Sequence, residues 1–355
     1  MKITLAATLR HYDKKNFIKD LLAGIIIMAV SIPISMGYAQ IAGLPAVYGL
    51  YGSVFPILIF ALSSTSPQFI FGVDAAPAAL IGSALLSLHI ESGSEEAMAV
   101  VPVLTFFVAL WLLAFYIMKA GKLVNYISAP VMGGFITGIC TTIILMQVPK
   151  LMGGSAGTGE FFELAEHMIR TAKDINWQSV VLGLAALVLL LVCKKLIPKF
   201  PMAVLLMIAG AGMTYLLPIE DRGVQTLASV DTGLPHWAVP DFSVISIREA
   251  VTISLSVAVV IMAETLLAEN NFAQKNGYRI NDNQEILAFS MGNFLAAFTG
   301  CCPINGSVSR TAMGEQYQAK TQLTGIIAGL SMIVVLVCAT GFIGYLPVPV
   351  LTAIV

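Results

Sequence analysis

Apolar runs long enough to cross a bilayer recur along the whole chain, near residues 20–39, 46–63, 97–118, 131–148, 178–195, 202–217, 247–268, 284–300 and 321–341. A helix of about 20 apolar residues crosses the hydrocarbon layer. Inside that layer every backbone amide must find its partner within the protein, which restricts such runs to helices. Composition agrees: 57% of the 355 residues are hydrophobic and 11% are charged, against about 25% charged in a soluble domain. The fold class expected is therefore an all-α polytopic membrane protein. The N-terminus is charged and polar ahead of the first run, without the short apolar stretch and small-residue cleavage site of a signal peptide. The five cysteines lie in or beside apolar runs and the four histidines are scattered. Their spacing suggests neither a disulfide framework nor a zinc site.

Two further apolar stretches, near 67–88 and 300–315, are interrupted by Gly, Pro and polar residues. A last run begins near Gly344 and is still continuing at Val355, so the expectation is about twelve segments, the final one cut short. Loop charges orient them. Arg10, Lys14, Lys15 and Lys19 precede the first span. Lys119 and Lys122, then Lys194, Lys195 and Lys199, then Lys275 and Arg279, then Lys320 return to the same side, while Glu91, Glu95 and Glu96 fall on the other. Basic residues mark the cytoplasmic side, so the N-terminus is expected inside, in an integral protein of a bacterial inner (plasma) membrane. The division expected is a cytoplasmic segment 1–19, a first repeat 20–217 holding segments 1–7, an extracytoplasmic loop 218–246, and a second, incomplete repeat 247–355 holding segments 8–12. Within the loop following residue 148, the stretch 159–173 has apolar residues at helical spacing and reads as an amphipathic surface helix.

The polar chemistry gathers in the interrupted stretches. Each opens with an extended-looking run, QFIFG in the first and TGCCP in the second. A helix-start signal follows: Asp74 with Pro77 in the first, Asn305-Gly306-Ser307 in the second. Interrupted segments at corresponding places of two halves point to a carrier's central site. Two half-helix starts facing each other expose unpaired N–H groups and about half a positive charge each, which suits an anion. Arg310 lies one turn into the second half-helix. It either adds positive potential there or reaches the interface and pairs with Glu315. Ser307, Ser309 and Thr311 offer hydroxyl donors, Ser307 equally a plain helix cap. Asp74 is either a cap or an ion-coupling group, and as a carboxylate it repels an anion. Glu264, deep in VVIMAETLLAEN, is either a proton- or cation-coupling residue or the partner of a neighbouring helix, while Glu269 falls nearer the inner surface and reads as interfacial. Pro33 breaks the ladder of the first span, with Tyr38 and Gln40 following it.

At these residues the chain resembles the SulP (sulfate permease) family of anion transporters. IAGLPAVYGLYGSVFPILIFALSS (41–64) carries the family's Pro-x-Tyr-Gly-Leu-Tyr at Pro45 and Tyr48-Gly49-Leu50-Tyr51. A second match runs from Asn283-Gln284-Glu285 through GNFLAAFTGCCPINGSVSRTA to Thr321-Gln322-Leu323-Thr324-Gly325. The resemblance implies two inverted seven-segment repeats, core and gate domains, and an elevator-like cycle. It places the substrate between the broken third and tenth segments, each preceded by a short extended strand. By similarity Gly72, Val73, Asp74, Ala75 and Ala76, with Gly306, Ser307 and Val308, would line the site. Arg310 would lie beside it, and Glu264 would be the ion-coupling acid of the eighth segment. The substrate implied is a small inorganic or carboxylate anion (sulfate, bicarbonate or a dicarboxylate), moved by H⁺ or Na⁺ coupling or by anion exchange. No cofactor and no nucleic-acid partner is implied; the partners are the anion, the bilayer and a second copy in a homodimer. The STAS domain typical of the family is absent from this sequence.

Two residues depart from the family pattern. Ile34 follows the first-span proline where many members carry Gln or Glu, and Asp74 stands where many carry a hydroxyl residue. The acidic residues leave room for a nucleobase carrier of the related fold, whose site hydrogen-bonds a base. A non-transporting truncated fragment is the other alternative. An enzyme is not expected, since the spans carry no nucleophile–base set.

Overall fold

The computed structural model describes residue 6 and residues 12–122, 129–155, 157, 161–197, 200–217, 219–227, 229–230 and 232–354. Expectations resting on Arg10, Gly159, Glu160, Lys199 and Pro218, and on the side chains of Cys140 and Lys194, lie outside the described residues. The chain divides into two compact units. One joins Met1–Met132 to Leu234–Ile333, the other Gly133–Gly233 to Val334–Val355.

The first unit holds α1 (Phe17–Ile41), α2 (Val47–Gly52), α3 (Phe55–Ser63), β1 (Phe71–Gly72), α4 (Ala75–Ser87) and α5 (Glu95–Ile117). After residue 234 it adds α10 (Ile247–Asn276), α11 (Asp282–Phe298), β2 (Asn305–Gly306) and α12 (Val308–Gln316), with the start of α13 (Leu323–Cys338). α11 lies against α5 and α3, and α10 against α5. Between them the rings of Phe60, Phe71 and Phe289 stack, with centroids 4.7 Å (Phe60–Phe71) and 5.3 Å (Phe71–Phe289) apart. Polar ties cross the packed helices: Ser290 Oγ donates to the Ala109 carbonyl at 2.9 Å, and Trp111 Nε1 to that of Val251 at 3.0 Å. Asp20, in the first turn of α1, is fully buried. It accepts from the backbone N–H of Lys320 (2.6 Å) and the hydroxyls of Thr321 (2.8 Å) and Thr324 (3.2 Å), fixing α1 to the start of α13.

The second unit holds α6 from Gly133 onward (α6 is Ala129–Leu151), α7 (Phe161–Thr171), α8 (Trp177–Leu196), α9 (Met202–Leu216) and α14 (Val348–Ile354). α8 packs on α14 and α9. α7 is the amphipathic helix expected over 159–173, with Leu164 buried and Phe162 and Ile169 exposed.

Among the described residues, three helical spans are long and apolar enough to cross a membrane by length and composition alone, Lys14–Ile41, Glu95–Ile117 and Ile247–Asn276. Several shorter apolar helices accompany them. α8 presents Val181, Leu184, Val188, Leu191 and Val192 to its surroundings. In water such a face is a liability, whereas against lipid tails it needs no cover.

Three expectations are corrected. The run 46–63 is not one helix but α2 and α3, broken at Ser53–Val54. Pro56 has no N–H to return to the carbonyl four residues back, and Ser53 Oγ turns aside to bond Ser35 Oγ at 2.8 Å. The span near 247–268 continues to Asn276, where Gly277 (φ +73°) ends it, so Glu269 lies inside a helix. The last run does not turn helical at Gly344: a 3₁₀ turn covers Thr340–Tyr345, and α14 starts at Val348.

Candidate functional site

The two interrupted stretches meet. β1 pairs antiparallel with β2, Phe71 opposite Gly306 and Gly72 opposite Asn305. The ladder is extended by the Ser307 N–H, which donates to the Ile70 carbonyl at 2.8 Å. Each strand runs within two residues into a half-helix, α4 or α12. Antiparallel strands send these helices away in opposite directions, leaving both N-termini at the strand pair. The second strand is Asn305–Gly306, not the expected TGCCP, whose backbone is irregular there. Irregular backbone at membrane depth needs outside partners. Asn293 on α11 supplies them, accepting from the Ile304 N–H (2.9 Å) and donating to its carbonyl (3.2 Å).

Glycine at 306 follows from crowding: a Cβ there would collide with the Phe69 ring and the Thr265 methyl. At Gly72 a Cβ would lie 3.0 Å from Arg310 Nη1, so the strand backbone rests against the guanidinium.

Arg310 is fully buried, and its Nη2 donates to the Val73 carbonyl at 2.5 Å. The same Nη2 lies 3.6 Å from Asp74 Oδ2. Nε and Nη1 have no hydrogen-bond partner. The expected alternative, a pair with Glu315, does not form, because Glu315 Oε2 binds Lys275 Nζ at 2.6 Å. Leaving a buried donor unsatisfied costs about 1–3 kcal/mol, so two such donor nitrogens on a buried cation favour a ligand with acceptor oxygens.

Asp74 does two things. Its Oδ1 accepts the Ala75 N–H at 2.7 Å, capping α4, while Oδ2 faces Arg310. Ser307 is buried, but its hydroxyl makes no cap bond; it sits 3.4 Å from Ser309 Oγ. α12 therefore begins without a side-chain cap. Glu264 Oε2 accepts from Asn305 Nδ2 at 2.6 Å, and Asn305 Oδ1 accepts from the Thr265 hydroxyl. That hydroxyl in turn accepts the Gly306 N–H at 3.1 Å. Glu264 thus reaches β2 through one amide, and Asp74 is the charge that faces it.

Of the residues expected at the site, Gly72, Val73, Asp74, Ala75, Gly306, Ser307, Arg310 and Glu264 converge on this junction. Ala76 is half-buried one position into α4, and Val308 is 44% exposed. One expectation changes: the junction is not simply positive, because one guanidinium stands among two carboxylates. Sequence reasoning named Asn305 only as part of a helix-start signal and missed Thr265; these residues connect Glu264 to the strand, and a signal for them was their place directly beside residues already chosen. Glu269 is corrected as well: it is fully buried rather than interfacial. A hollow of about 320 Å³ lies elsewhere in the same unit, lined by Tyr48, Tyr51, His236, Asp241 and Gly300 among others; it includes none of the expected site residues.

Two broken segments joined by a short antiparallel strand pair, among apolar helices, give the chain the inverted-repeat transporter fold. The model of the sulfate permease family matches residues 17–355, and the chain belongs to that family. A "probable sulfate transporter" of Mycobacterium tuberculosis is 29% identical over 346 residues, covering 98% of this chain and 62% of the relative. Sulfate transporter 2.1 of Arabidopsis thaliana is 29% identical over 361 residues, covering 98% and 53%. The chain thus spans little more than half the length of these relatives. Among solved structures, the transmembrane domain of the cyanobacterial bicarbonate transporter BicA superposes with a TM-score of 0.81 at 19% identity, covering 97% of this chain and 88% of that one. The murine anion transporter Slc26a9, in its inward-facing state, gives 0.83 at 24%, covering 99% and 62%.

Proposed function

We propose that the chain forms the membrane part of a secondary active carrier for a small anion: sulfate, bicarbonate or a dicarboxylate. The anion would bind at the β1–β2 junction, between the starts of α4 and α12. Gly72 to Ala76, Gly306 to Val308 and Arg310 would form its seat, and Glu264 would be the group that couples transport to H⁺ or Na⁺. One observation carries the reading: a fully buried guanidinium, with Nε and Nη1 unpartnered, beside an uncapped helix start. The sulfate and bicarbonate transporters among its relatives and structural neighbours support the substrate class.

Coupling follows from the charge count. An anion entering beside Asp74 and Glu264 meets carboxylates, and a proton or sodium ion at Glu264 would offset that repulsion. The whole seat lies within the first unit, so an elevator-like cycle would carry it as one body. The repeats would span 20–217 and 247–355, the N-terminus would face the cytoplasm of a bacterial cell, and the carrier would work as a homodimer.

The test is uptake of labelled sulfate, bicarbonate, dicarboxylate and uracil into proteoliposomes, with and without imposed proton and sodium gradients. Accumulation of one anion, driven by one gradient and lost as a gradient response in Glu264→Gln, is expected. Accumulation of uracil in place of any anion would favour the nucleobase carrier, for which the carboxylates and Asn305 would be the hydrogen-bonding edge.

A further inference from the structure

On α10, a little more than one helical turn beyond Glu264, a second carboxyl group is buried for which the anion seat has no use. Glu269 is fully inaccessible, and no donor group among the described residues reaches either of its oxygens. The groups facing it are acidic: Glu285 and Asp282 from α11, and the phenol of Tyr278 from the intervening turn. Glu285 is also fully buried. It accepts from Ser64 Oγ at 2.7 Å, the Thr65 N–H at 2.6 Å and the Thr65 hydroxyl. Asp282 accepts from Asn270 Nδ2 at 3.1 Å. The nearby basic residue Lys275 is engaged with Glu315.

Two neighbouring buried carboxyl groups with no cation beside them among the described residues cannot both carry charge at an acceptable cost, since desolvating one ion is expensive. The hydrogen bonds show which one is ionised. Three donors aimed at Glu285 fit a carboxylate, which only accepts; Glu269, receiving none, fits the acid, which has an O–H to give. We propose that Glu269 is a proton-binding site, held as the neutral acid and donating its proton to the carboxylate of Glu285. The site is separate from the anion seat and does not depend on that assignment.

Its position gives the proton a consequence. Glu285 holds the Ser64–Thr65 turn, and that turn leads through Ser66 and Gln68 into β1. Loss of the proton from Glu269 would set two carboxylates against each other and loosen α10 from the turn that positions the first broken segment. Proton occupancy at Glu269 would therefore bias the placement of β1.

Infrared difference spectroscopy on the purified full chain, between acidic and alkaline buffer, tests this without any transport assay. A protonated carboxylic acid shows a C=O stretch that shifts on exchange into D₂O. The expected result is a band that persists in Glu264→Gln and is lost completely in Glu269→Gln, whose amide still donates to Glu285 and so supports folding. An unchanged spectrum in Glu269→Gln overturns the proposal. Sodium titration at fixed pH should leave the band in place; its loss on adding sodium alone would make the ligand a metal cation and equally overturn it. Should Glu269→Gln fold poorly, Glu285→Gln replaces the ionic acceptor by a neutral one and must move the band, and a band that stays put rejects the pair.

Discussion

The two broken segments share a plan and differ at their helix starts. α4 begins at a carboxylate, because Asp74 caps the Ala75 N–H and puts its second oxygen 3.6 Å from Arg310. α12 begins bare, because the Ser307 hydroxyl bonds Ser309 and caps nothing. A helix start offers free N–H groups and a partial positive charge to an anion, and a carboxylate cap takes up one of those N–H groups and offsets the charge. The seat is therefore lopsided: attraction comes from the α12 side and from Arg310, while the α4 side supplies a counter-charge. A strand pair brings the two starts together, but the cap decides which of them is available.

Removing Arg310 tests the attractive side and should have the largest effect. In Arg310→Ala, anion uptake should fall by about 100-fold, the equivalent of about 3 kcal/mol for a desolvated charged partner. Thermal stability should fall with it, because Asp74 loses its counter-charge, so Arg310→Lys serves as the control that keeps the charge. Uptake within twofold of wild type in Arg310→Ala would end the comparison.

Asp74→Asn sharpens it in the other direction. Asparagine caps a helix as well as aspartate does, so α4 should keep its start while the charge facing Arg310 disappears. A charge removed at this distance in a partly desolvated site should lower the KM for the anion by about tenfold. A KM that rises would place Asp74 among the groups the substrate needs.

Gly72→Ala asks how closely β1 must approach. Its methyl would sit 3.0 Å from Arg310 Nη1, and overpacking of this kind costs about 1–3 kcal/mol. Uptake should drop several-fold, with folding retained by circular dichroism. The smallest effect belongs to Ser307→Ala. A capping serine is worth about 1 kcal/mol, but this one caps nothing, so melting temperature and KM should both stay near wild type. A clear loss of stability would show that the hydroxyl holds α12 after all.

Much of this architecture was legible in the chain itself. Hydropathy and the Gly/Pro interruptions located both broken segments, Asp74 announced a helix start, and the spacing in 159–173 announced α7. What stayed hidden depends on contacts between residues far apart in sequence. The break between α2 and α3 needs Ser35 to meet Ser53. The second strand falls at Asn305–Gly306 because Phe71 and Gly72 lie opposite it, which no local pattern in TGCCPING reveals. Glu269 read as interfacial because a hydropathy run ends beside it; it is buried, with Glu285 and Asp282 of α11 facing it. The charge balance at Arg310 was likewise invisible until Asp74, 236 positions away in sequence, was seen 3.6 Å from it.

The central claim is that an anion sits at the start of α12, next to Arg310. The most direct measurement is a structure of the protein with an anion that competes for uptake and carries an anomalous scatterer. The account requires its peak within hydrogen-bonding distance of the Val308–Arg310 backbone N–H groups or the free nitrogens of Arg310. A peak remote from the β1–β2 junction, with Arg310 still closed on Val73, would contradict it.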